Sequence, residues 1–122
     1  MRPALCAVFA AAIAAAPFPS SAQGVTISSD LLKDWRAQKE TMLRIADAMP
    51  EDKFAFKATP PQRSYREQIL HVAGANIFLM TFLGGNVPAP PISTTDRSTF
   101  GLTAASKAEV LEALSRSYDF GR

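Results

Sequence analysis

The most constraining stretch of this chain is Ser64-Tyr65-Arg66-Glu67 and the apolar run behind it. A serine hydroxyl can accept from the amide three residues on, while a glutamate at that third position reaches back to the serine amide, so these four residues predict a helix start. Ile69, Leu70, Val72, Ala73, Ile77, Phe78, Leu79, Met80, Phe82 and Leu83 follow, and Gly84 is a suitable left-handed terminator. At 100° per residue these side chains cover nearly the whole circumference. A helix that is apolar all round must be covered on more than one side, so the rest of the chain has to supply those covers.

Two further helices are available. Leu31, Trp35, Met42, Ile45 and Met49 form one apolar face, with Gln38 filling the missing turn and Lys33, Arg36, Glu40, Arg44 and Asp47 on the opposite side. Ser28, Ser29 or Asp30 can cap this helix, expected over Asp30 to Met49, and Pro50 stops it. A second capping box, Ser106-Lys107-Ala108-Glu109, opens a short helix with Val110, Leu111, Leu114 and Tyr118 on one face. The expected fold class is all-α, an antiparallel, up-and-down helix bundle with three main helices. Its buried stripes come from one side of each outer helix and nearly all of the middle one.

The connections are less informative. Pro50 to Arg63 carries three prolines and the pair Phe54 and Phe56, and reads as an ordered connection; a short partner-recruiting edge strand is the alternative, opposed by Pro60 and Pro61. Gly85 to Leu102 has no periodicity, three prolines and a run of serine and threonine, so it reads as disorder or a simple surface crossing, with the rim of a site as the alternative.

At the N-terminus, Met1-Arg2, the apolar run Ala4 to Ala16 and the exit through Pro17, Pro19, Ser20, Ser21 and Ala22 make a secretory signal peptide over residues 1–22. The run is shorter than the ~20 residues that span a bilayer, and no cysteine follows it to carry a lipid. Residues 23–122 then form one domain, secreted or periplasmic, with no membrane association after cleavage. Removing Arg2 with the leader takes the formal charge from +2 to +1, too little for a nucleic-acid partner. Cys6, the single cysteine, leaves with the leader, which excludes disulfides, a cysteine nucleophile and a zinc-thiolate site from the processed chain.

Candidate chemistry is sparse. His71 is the single histidine; it shares a helical face with Glu67, Gln68, Ala75, Phe78 and Phe82 and is expected to point inward. It reads either as a hydrogen-bonded core histidine or as a ligand. Ser106, Ser115 and Ser117 have no second histidine or lysine placed as a base. Met42, Met49 and Met80 read as core filling rather than a metal box.

The first helix with Trp35, the stretch Ile45-Ala46-Asp47-Ala48-Met49-Pro50-Glu51-Asp52-Lys53-Phe54, and Ser64-Tyr65-Arg66-Glu67-Gln68-Ile69-Leu70-His71-Val72-Ala73 running on to Gly84-Gly85 resemble the DinB-like family (damage-inducible protein DinB superfamily) of bacterial four-helix-bundle proteins. The resemblance covers Leu31 to Gly121. It implies a bundle whose fourth helix is missing from this sequence, and a divalent metal of the zinc or nickel class held by three histidines. His71 stands at the first of the three; the other two belong to a His-x-x-x-His pair on the fourth helix. Glu67 is the one further donor on the same face. Activity, if any, is implied to be that of a metal-dependent transferase or hydrolase on an unknown small-molecule substrate. The alternative expectation is a non-enzymatic bundle that forms a homodimer through its uncovered face, or an inactive fragment of a longer protein of this type.

Overall fold

A computed structural model of the chain describes residues 26–83 and 88–121. The signal-peptide reading and the terminator at Gly84 lie outside these residues. Among the described residues the fold is all-α: α1 (Ile27–Ala48), α2 (Tyr65–Met80) and α3 (Lys107–Phe120), with one 3-10 turn at Glu51–Lys53 and no strand. No helix among them is long and apolar enough to cross a membrane.

The helix starts follow local chemistry. Thr26 caps α1 by accepting from the Ser29 amide at 3.1 Å, so the helix begins one turn before the expected serine and aspartate caps. At α2 the capping box closes in both directions: Ser64 Oγ accepts from Glu67 N at 3.3 Å, and Ser64 N donates to Glu67 Oε2 at 2.6 Å. At α3 only the serine arm matches the expected pattern, because Glu109 Oε2 accepts from Ala105 N rather than from the Ser106 amide. The α-helix of α2 stops at Met80, and Thr81 to Leu83 continue as a turn.

The relative directions of the helices correct the antiparallel, up-and-down expectation. Trp35, near the start of α1, stacks on Tyr118 near the end of α3 (ring centroids 4.7 Å) and donates from Nε1 to the Tyr118 carbonyl at 2.8 Å. At the opposite end Lys107 Nζ lies 2.9 Å from Asp47 Oδ1, and the Lys107 amide donates to Glu51 Oε1. Hence α1 and α3 are antiparallel. Tyr65, at the start of α2, donates its hydroxyl to the Ile45 carbonyl near the end of α1, so α2 and α3 both start at that end. Asn76 Nδ2 donates to Ser117 Oγ at 3.1 Å and joins their later halves, so α2 and α3 run parallel. A short turn joins antiparallel neighbours; a parallel pair needs a connection that travels back along the whole helix. The described residues 88–106 belong to that connection.

The core gathers where the three helices meet: Ala46 from α1, Phe54 from the turn, Ile69, Leu70 and Ala73 from α2, and Val110, Leu114 and Tyr118 from α3. Phe54 is fully buried and meets Tyr65 edge-on, whereas Phe56 is exposed. The turn geometry sends the two phenylalanines apart, which removes the edge-strand alternative. Two covers enclose α2. One flank packs on α3, and the other lies under the returning connection, where Phe100 packs against Gly74, His71 and Phe78. Leu79, Phe82 and Leu83 remain exposed.

The buried line of α1 is rotated from the expected face. Ala46 is fully buried with Trp35, Lys39, Met42 and Leu43 partly so, while Leu31 and Ile45 are 64% and 51% exposed. At 100° per residue the buried direction lies about 80° round from the Leu31–Gln38–Ile45 line.

Leu114→Ala removes a fully buried side chain at the meeting point of the helices and is expected to cost about 2–5 kcal/mol by urea denaturation. Arg36→Ala, at an exposed position on the polar side of α1, is expected to change stability by less than about 0.5 kcal/mol.

Candidate functional site

Gly74, halfway along α2, permits the contact on which the site is built. A Cβ placed there would stand 2.6 Å from Phe100 Cβ and 2.7 Å from Phe100 Cδ2, so the bare glycine backbone is the seat for the Phe100 side chain. Phe100 is 5% exposed, and its ring also meets Phe78 at 5.8 Å and His71 at 5.4 Å between centroids.

Phe100 adopts φ +57°, a left-handed conformation that costs an L-residue roughly 1–2 kcal/mol, and Gly101 follows at φ +76°. Asp96 holds this reversal together. Its Oδ1 accepts from Ser98 N at 2.7 Å, and its Oδ2 accepts from Gly101 N at 2.8 Å and Thr99 Oγ1 at 3.1 Å. The Gly101 and Ser98 amides hold the Asp96 carboxyl below its ordinary range. Ser93 N donates to the Phe100 carbonyl at 2.7 Å, closing the base of the reversal.

This clamp presents the Ser98 carbonyl to α2. It accepts from His71 Nδ1 at 2.9 Å and from Arg63 Nε at 2.9 Å, which occupies both of its lone pairs. A carbonyl only accepts, so Nδ1 carries the proton, and in the neutral ring Nε2 keeps its lone pair. Arg63 Nη2 donates to the neighbouring Arg97 carbonyl at 2.7 Å. His71 is therefore half-buried on the flank facing residues 96–100, under a cover supplied by the chain itself.

Glu67 is committed elsewhere. Its Oε2 accepts the Ser64 amide and lies 3.7 Å from Lys57 Nζ, and the Ser64 amide and hydroxyl, with help from Lys57, hold its carboxyl below the usual range. A carboxylate serving the helix cap is poorly placed to leave it for an ion. Among the described residues no group of three His, Cys, Asp or Glu side chains is placed to hold a metal. The donor set thus does not fit a tightly held resident ion. It can offer one imidazole nitrogen, as a single ligand or a single base.

Two of the serines weighed as nucleophiles, Ser106 and Ser117, have structural duties. Ser106 caps α3, and the buried Ser117 donates to the Leu114 carbonyl at 2.7 Å while accepting from Asn76. Met42 and Met49 pack against the core. Asp96, Ser98 and Phe100 escape a reading by periodicity or motif. The signals that bear on them are a glycine inside a helix, which needs a packing reason, and a lone phenylalanine in a polar connection. Comparison of the chain with protein-family models, curated proteins and solved structures finds no match.

Gly74→Ala forces Phe100 from its seat and is expected to cost about 1–3 kcal/mol, with hydrogen exchange at Gly101 and Ser98 rising more than in the α1–α3 core. Asp96 titrates lower in the folded chain than in the unfolded one. Its contribution is therefore present above the ordinary carboxylate value of about 3.9 and is lost as pH falls through the depressed folded value. The protection factor of the Gly101 amide, its exchange rate relative to the intrinsic rate at each pH, is expected to fall with that loss, and Asp96→Asn to remove this fall.

Proposed function

We propose that this chain is an exported, DinB-like helical bundle that works by pairing with a second copy of itself rather than through a resident metal. The observation that carries this reading is the apolar line left outside the core on α1. Leu31 and Ile45 are 64% and 51% exposed and stand seven residues either side of Gln38, with Ile27, 81% exposed, one turn beyond Leu31. Seven-residue spacing keeps side chains on one stripe about 10 Å apart along the helix. The stripe is also self-complementary. In an antiparallel pair centred on Gln38, Leu31 of one copy meets Ile45 of the other in both halves, and the two Gln38 amides meet on the axis, as a two-fold contact requires. The export reading rests on the leader at residues 1–22, and the kinship on the order of the Trp35 helix, the Met49-Pro50-Glu51 turn and the His71 helix.

Sedimentation velocity at micromolar concentration is expected to find a dimer, and Leu31→Glu combined with Ile45→Glu a monomer of unchanged helicity. A wild-type monomer throughout that range, or a double variant that still dimerises, overturns the reading.

The hydrogen bond from His71 Nδ1 to Ser98 favours a second reading. A backbone carbonyl that fixes one imidazole nitrogen leaves the other oriented for a divalent ion, the arrangement common among metal-ligating histidines. With one protein ligand the ion, of the zinc or nickel class, is held loosely. Zinc titration followed by chemical shifts of the His71 ring and the Ser98 amide distinguishes the two: saturable shifts in the wild type that are lost at Ser98 in His71→Ala support this second reading, and equal Ser98 shifts in both proteins, or none in the wild type at millimolar zinc, discard it.

A further inference from the structure

An open groove of about 800 Å³ runs beside the start of α2, bounded by the turn from Phe56 to Pro61 on one side and by Arg97 and Ser98 on the other. Its charge has one sign. Arg63 and Arg97 are in the lining, no aspartate or glutamate is, and among the described residues neither guanidinium forms an ion pair.

The two arginines are held differently. Arg63 spends two of its five N–H donors on the Ser98 and Arg97 carbonyls, at 2.9 and 2.7 Å, which fixes the plane of its guanidinium while leaving the positive charge uncompensated. Arg97 is exposed, and the fold uses its carbonyl. Opposite them the wall is apolar. Phe56, which leaves 59% of its surface exposed, and Pro61 are in the lining there. An exposed aromatic beside a pre-oriented guanidinium offers a flat ligand a face to stack on and an anionic group a forked partner.

We propose that this groove binds a small organic oxyanion with a flat apolar body, its carboxylate or phosphate headgroup on Arg63 and Arg97 and its body against Phe56 and Pro61. Gln68, also in the lining, adds an amide that can bond a polar substituent. The clamp at Asp96 serves the site indirectly, by placing the two carbonyls that aim Arg63. The site lies on α2 and its flanking turns, so it stands or falls independently of pairing through α1.

The probes are phenyl phosphate and benzoate, with inorganic phosphate carrying only a headgroup and benzyl alcohol only the body. Binding is followed by amide chemical shifts of the purified, isotope-labelled protein. Saturable shifts centred on Ser64, Tyr65 and Ser98 are expected with phenyl phosphate or benzoate, weakening as salt is raised; the tighter of the two identifies the headgroup. Arg97→Gln, at an exposed position, is expected to weaken binding about tenfold or more, as the loss of one guanidinium–oxyanion contact implies, and Phe56→Ala to weaken both aromatic probes while leaving inorganic phosphate unchanged. Absence of saturable shifts at millimolar probe, equal affinity in Arg97→Gln, or equal binding of benzyl alcohol or of inorganic phosphate overturns the proposal.

Discussion

The close approach of Phe100 to Gly74 is the contact on which the rest of the arrangement depends. With no Cβ at position 74 the aromatic ring can lie against the helix backbone, and burying it offsets the unfavourable left-handed geometry at Phe100 itself. Once the ring is seated, the reversal at residues 96–101 is fixed in place, and Asp96 satisfies the amides that the reversal turns inward. The Ser98 carbonyl is then delivered to two side chains of different chemistry, a histidine and an arginine. A loop otherwise free to lie anywhere over the surface becomes the second cover of α2.

That cover answers the problem posed by an all-round apolar helix among the three helices of the described residues. Since α2 and α3 are parallel, the chain must return along the length of the bundle between them, and the returning segment passes over the flank of α2 that α3 leaves open. The starts of both helices consequently gather at the end of α1, where Lys107 meets Asp47 and Glu51 and where Tyr65 reaches the Ile45 carbonyl. At the far end Trp35 and Tyr118 join α1 to α3. From Trp35 to its end α1 is thereby tied to the fold, while one edge of it stays bare.

Much of the local structure was legible because it depends on neighbours in sequence. The Ser64–Glu67 cap closes as its spacing requires, the cap at Ser106 differs only in which amide Glu109 reaches, and α3 occupies the expected stretch. The α1 face was legible only in part: Trp35, Met42 and Met49 do turn toward the core, but Leu31 and Ile45 do not, because helical periodicity specifies which residues share a side and leaves open how that side is rotated against its neighbours. The candidate site was less legible still. His71 stood out as the single imidazole, yet its partner is a main-chain carbonyl, which has no residue identity, and that carbonyl lies 27 residues away along the chain.

By itself the sequence determined three helical segments, their starting caps, and the need for α2 to be covered on more than one side, since each follows from spacing within a few residues. Tertiary structure alone decided that α2 and α3 run parallel, that Phe100 rather than another helix covers the His71 flank, and that Glu67 serves its own helix cap. Those outcomes turn on contacts between segments far apart in the chain. The free energy of such contacts depends on shape, on the absence of a Cβ at position 74 and on backbone groups that every residue shares.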